Sequence, residues 1–113
     1  MATNLNGRIA VVTGASIGIG KEISERLVKL GMKVVGCARN ETALQEIAKE
    51  INLVGPGEMF PHRCDVTSES DVLALFAFVK EKFGTLHVCV NNAGLGHIAP
   101  LLSGSTSVSF ICN

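Results

Sequence analysis

Thr13-Gly14-Ala15-Ser16-Ile17-Gly18-Ile19-Gly20 sets three glycines directly behind the apolar run Ile9 to Thr13, where a helical pattern begins. A diphosphate needs such a segment. Its glycines let the backbone turn tightly and come close, the first helical amides point at the anion, and the last glycine lets helix and strand pack closely. An ordinary glycine-rich turn is the other reading; the strand before and the helix after are the context that favours a dinucleotide. The second apolar run ends in Cys37-Ala38-Arg39-Asn40. A carboxylate there would grip a ribose 2′-hydroxyl, whereas an arginine fork pairs with a 2′-phosphate, so Arg39 points to NADP over NAD. The bland reading of Arg39 is a solvated surface cation. Asp65, closing the third run, suits the adenine amine, or else caps the residues that follow it. Asn91-Asn92-Ala93-Gly94 closes the fourth run, at the crevice where open parallel sheets bind ligands, or forms a plain strand-end turn.

Other chemistry is thinly represented. The 113 residues include no tyrosine and no tryptophan, and ten basic residues answer ten acidic ones without a basic run. Neither a nucleic-acid footprint nor a membrane patch is visible, which leaves a small molecule as the expected partner. Cys37, Cys64, Cys89 and Cys112 lack metal or redox spacings and read as free thiols. No metal site is expected. His62 and His87 lie in strand-like runs and read as satisfied structural groups, and His97 as a loop histidine. No apolar stretch approaches the roughly 20 residues needed to span a bilayer, and the first residues lack the order of a signal peptide, so a cytoplasmic location is expected.

The elements that must position these residues follow from periodicity. With 47% hydrophobic and 18% charged residues, the composition suits one globular domain. Apolar runs at Ile9 to Thr13, Lys33 to Ala38, about Met59 to Asp65, and Leu86 to Asn91 alternate with helical patterns, the signature of a parallel sheet covered on both faces. The first helix sets Ile19, Ile23, Leu27 and Leu30 on one stripe and stops at Gly31. The second carries Leu44, Ile47, Ala48 and Ile51 behind an Asn40 cap, and the loop Val54 to Gly57 ends it. The third runs from a capping box at Ser68 and Asp71 to Gly84, and is apolar nearly all round. Pro61 belongs on an edge strand, so the expected order is 3-2-1-4.

In this order and spacing, the glycine segment, Cys64-Asp65-Val66 and Asn91-Asn92-Ala93-Gly94 resemble the short-chain dehydrogenase/reductase family. Residues 34–39 and 101–107 resemble a group within it associated with NADP-dependent reduction of keto-steroids and other carbonyls. The resemblance covers about Gly7 to Ser107. It implies an α/β class, a Rossmann-like doubly wound parallel sheet, truncated, with later strands and helices missing: residues 1–107 form a partial NADP-binding domain and 108–113 a divergent tail. It further implies that Gly14, Ser16, Gly18, Ile19, Gly20, Arg39, Asp65, Val66, Asn92, Ala93 and Gly94 line the dinucleotide, while Thr13 and Asn91 brace the central strands. The basic residue that many NADP-preferring members carry is replaced here by Ile17.

Family members reduce small carbonyl substrates with a tyrosine, a nearby lysine and a serine from the second half of the fold, and full-length relatives are expected to be homo-oligomers. No catalytic residue is assigned in this chain, which is expected to be inactive alone. Two alternatives stand beside this reading: a non-catalytic NADPH-binding or interaction module, and a coding sequence whose last six residues come from an unspliced intron. Loss of the later helices would leave the fourth strand as an unprotected edge and make the chain marginally stable.

Overall fold

The computed structural model describes residues 6–16, 18–91 and 109–112, and among them five strands and three helices, which alternate from the first strand to the fourth. Strand β1 (Ile9–Thr13) is buried at every position and lies between β2 (Lys33–Ala38) and β4 (Val88–Asn91), both parallel to it. Strand β3 (Glu58–Arg63) pairs with β2, and the order is β3-β2-β1-β4-β5. The expected order 3-2-1-4 stands, with Pro61 on the edge strand. The expectation of an exposed β4 edge is corrected. Ser109–Cys112 form β5, which pairs parallel to β4 in the register Val88↔Ser109 to Asn91↔Cys112. The ladder comes from within the segment that the sequence marked only as a divergent tail. The expected boundary at residue 107 lies outside the described residues.

Helices α1 (Gly18–Lys29) and α2 (Glu41–Ile51) cover one side of the sheet, where Val12, Val28, Met32, Val34, Leu44 and Ile51 form a buried cluster. On α1 the expected stripe is rotated: Gly20, Ser24 and Val28 are buried, while Ile19 and Leu30 are 57% and 55% exposed. The smallest residues lie nearest the sheet because they permit the closest approach, with Ile23 and Leu27 flanking them. Asn40 caps α2 as expected, its Oδ1 accepting from Ala43 N at 3.1 Å. The end of α2 is tied by Asn52, which accepts from Met59 N and donates to Met59 O.

The opposite side carries α3 (Glu69–Phe83), which buries Val72, Leu75 and Val79 against Val11, Val35, Cys37, Cys64 and Cys89. Gly84 ends it in the left-handed conformation. Its outer face stays open, with Leu73 49% exposed. His87 behaves as the expected structural group: its Nδ1 accepts from Ile9 N and its backbone N donates to Ile9 O, both at 3.0 Å. His62 departs from that expectation, because its Nδ1 is buried without a hydrogen-bond partner among the described residues while the ring packs on Phe78 at 4.8 Å. Cys37, Cys64 and Cys89 are free thiols, all buried. No helix among the described residues is long and apolar enough to cross a membrane.

Candidate dinucleotide site

The C-terminal ends of β1, β2 and β3 open into a cleft of about 530 Å³. Five of the expected residues meet there: Gly14, Ser16, Arg39, Asp65 and Val66 all line it. Gly18, Ile19 and Gly20 occupy the first turn of α1 beside it. Asn92, Ala93 and Gly94 lie outside the described residues, as do Ile17 and His97.

The loop after β1 is set by backbone geometry. Gly14 and Gly18 have φ of 65° and 55°, a region that costs other residues steric strain, and a side-chain atom added to Gly18 would project into open space. Ala15 N donates to Cys37 O at 3.0 Å, which ties the loop to the end of β2. That tie depends on Gly36, where an added Cβ would run into Met59 and come within 3.2 Å of the Ala15 methyl. Thr13 braces β1 against β4 as expected, its Oγ1 donating to Val90 O at 3.4 Å. Helix α1 has no acidic residue in its first turn, unlike α2 with Glu41 and α3 with Glu69 and Asp71. The partial positive charge of its N-terminus therefore meets no internal carboxylate, which suits an anion.

Arg39 is exposed on the cleft wall, one residue past the end of β2, a strand without carboxylates. Asp65 shows the local role that the sequence left open: its Oδ1 accepts from Thr67 Oγ1 at 2.6 Å and from Thr67 N at 2.9 Å. Those bonds, the hydroxyl's first, hold the Asp65 carboxyl below its ordinary pKa, with smaller help from Arg39 and Arg63. Both fall on Oδ1, so Oδ2 is the oxygen an incoming donor would meet. The walls behind are apolar and neutral, since burial pushes the Cys37 thiol up and out of reach of ionisation at neutral pH.

One contributor was missed. Asp71 was read as the acidic partner of a capping box, and Ser68 does accept from Asp71 N at 3.3 Å. The return bond is not made, because Ser68 N already donates to Asp65 O. The Asp71 carboxylate instead accepts from Asp65 N at 3.0 Å and from Arg63 Nη1 at 3.2 Å. Its spacing from Ser68 is the signal that pointed elsewhere.

A model of the short chain dehydrogenase family matches residues 8–109. Dehydrogenase/reductase SDR family member 11 of Gallus gallus is 46% identical over 101 residues, 88% of this chain and 40% of that protein. The chain thus spans about 40% of the length of such a relative. Among solved structures, L-sorbose reductase from Gluconobacter frateurii complexed with NADPH and L-sorbose superposes with a TM-score of 0.78 at 34% identity, covering 85% of this chain and 36% of that one. A short chain dehydrogenase/reductase from Burkholderia phymatum in complex with NAD gives 0.75 at 36% identity, covering 84% and 34%.

Proposed function

The chain belongs to the short-chain dehydrogenase family, and from that premise we propose that it is the cofactor-binding portion of an NADP-dependent oxidoreductase of carbonyl compounds, keto-steroids among them. The observation that carries the reading is the convergence of the Gly14 loop, Arg39 and Asp65 on one cleft at the strand ends. The loop amides and the first turn of α1 hold the diphosphate, Arg39 takes the 2′-phosphate, and Asp65 with Val66 receives the adenine. Gly18, Ile19 and Gly20 flank the diphosphate, and Asn92, Ala93 and Gly94, outside the described residues, are the remaining residues assigned to the cofactor. When bound, the nicotinamide supplies the hydride.

Reduction also needs a positioned acid for the oxygen that accepts charge. With no tyrosine among its residues, this chain does not supply the family's proton donor, so alone it binds NADPH without turning over a carbonyl. The same absence favours a second reading, a non-catalytic NADPH-binding or interaction module. Loss of NADPH absorbance with a keto-steroid and this chain alone would contradict both.

Cofactor choice is testable at Arg39. A charge-assisted bond to phosphate contributes about 1.5–3 kcal/mol, so Arg39→Asp should weaken NADPH by roughly ten- to a hundredfold and leave NADH within a few fold. Calorimetric titration with each nucleotide measures the two losses, and equal losses would remove Arg39 from the role. No heat with either nucleotide on folded protein would remove the dinucleotide reading itself.

A further inference from the structure

Strand β3 ends at Arg63, and the ladder continues for one bond more, from Cys64 N to Ala38 O at 2.9 Å. The next amide, that of Asp65, alternates to the open edge of β3, away from β2, where the Asp71 side chain accepts from it. The same Oδ2 accepts from Arg63 Nη1, so one oxygen ties the last residue of β3, the first residue of the loop and the first turn of α3. Around this tie the loop closes on itself. Ser68 N donates to Asp65 O, and Thr67 donates twice to Asp65 Oδ1. The Thr67 bonds fix the carboxylate relative to its own backbone, yet they do not fix that backbone relative to the sheet. Asp71 does. Its side chain is 31% exposed, and its negative charge is answered by Arg63, so two neighbouring carboxylates coexist at the cleft rim.

We propose that Asp71 is the positioning residue for adenine selection: by holding the Asp65 amide and the Arg63 guanidinium together, it sets the Asp65 carboxylate at the distance that reads a purine amine. The inference rests on the dinucleotide reading above and adds a determinant of base specificity, acting through Asp65 and touching no ligand itself. A carboxylate oxygen accepts from an amine and repels a carbonyl, so a correctly held Asp65 discriminates the two.

The probes are NADPH and its deamino analogue, in which hypoxanthine replaces adenine and a carbonyl stands where the amine was. Wild-type protein should prefer NADPH by about tenfold, the worth of about 1.4 kcal/mol. Asp71→Ala should bring that preference close to unity. Asp71→Asn keeps an acceptor for the Asp65 amide but loses the ion pair, and should retain a preference of about threefold. A general loss of folding weakens both nucleotides alike and leaves their ratio unchanged, so the ratio isolates positioning. If the alanine variant does not fold, the asparagine variant carries the test. An unchanged ratio in Asp71→Asn and in any folded Asp71→Ala overturns the inference. A wild-type ratio near unity with NADPH still bound overturns it while sparing the cofactor reading, and wild-type protein that binds neither nucleotide overturns both.

Discussion

A single nitrogen does the work of a backbone carbonyl at the start of β1. His87 Nδ1 accepts from Ile9 N, while the backbone of His87 donates to Ile9 O, so the first residue of the central strand is paired in both directions from one position. Ile9 is buried, and an amide left there without an acceptor costs about 1–3 kcal/mol. His87→Ala should lose that much in urea unfolding. His87→Asn, whose Oδ1 sits near the place of Nδ1, should recover most of it, and equal losses in the two variants would show that ring packing is what matters. Side-chain reach of this kind is what the sequence concealed at the site as well. Gly14, Ser16, Arg39, Asp65 and Val66 were legible because glycine conformation and charge at a strand end are local properties. Asp71 was not legible as a support for Asp65. Its spacing from Ser68 matched a capping box, and only the fold reveals that the Ser68 amide is already bonded to Asp65 O, freeing the carboxylate for another donor.

Elements meet the cleft through contacts that leave little room. Gly36, in the middle of β2, lets Ala15 of the loop and Met59 of β3 close over the strand at once. An added methyl meets the flexible end of Met59, which can move aside, and the Ala15 Cβ, which is bonded directly to the loop backbone and can move only with it. Overpacking of this sort costs about 1–3 kcal/mol. Gly36→Ala should therefore lower stability by that amount and also weaken NADPH, because the Ala15 amide that bonds to Cys37 O is displaced. The double variant Gly36→Ala/Ala15→Gly, which removes the contact that cannot move aside, should regain affinity; no recovery would place the strain on Met59 instead. Strand order and helix limits were legible from apolar runs, Pro61, Asn40 and the glycines at 31 and 84. The facing of α1 was not. Periodicity weights large side chains, whereas close approach to a sheet selects Gly20 and Ser24 as the buried spine. β5 escaped for a related reason: a strand of four residues carries no period of its own and is defined by its neighbour β4.

The two sides of the sheet differ in cover and in chemistry. Among the described residues, two helices cover the side built from Met32, Leu44, Ile51 and Met59, and α3 covers the side that holds Cys37, Cys64 and Cys89. The outer face of α3 carries a shallow groove at Ala74, Ala77 and Phe78. Burial raises all three thiols, and Cys89 is pushed up from 9.0 to about 12. The unfolded chain begins to shed these protons near pH 9, whereas the folded chain keeps that of Cys89 until about pH 12. The folded state thus binds more protons in that window, and its stability, complete below pH 9, falls as the pH rises, by up to ~1.4 kcal/mol per pH unit for each thiol. Urea unfolding should give a level free energy from about pH 7 to 8.5 and a decline above 9. Cys89→Ala, less stable at neutral pH because of the cavity it leaves, should show a shallower decline. The difference in slope between the two proteins above pH 9 isolates the thiol. Parallel slopes would mean that the Cys89 proton is not what the α3 side protects.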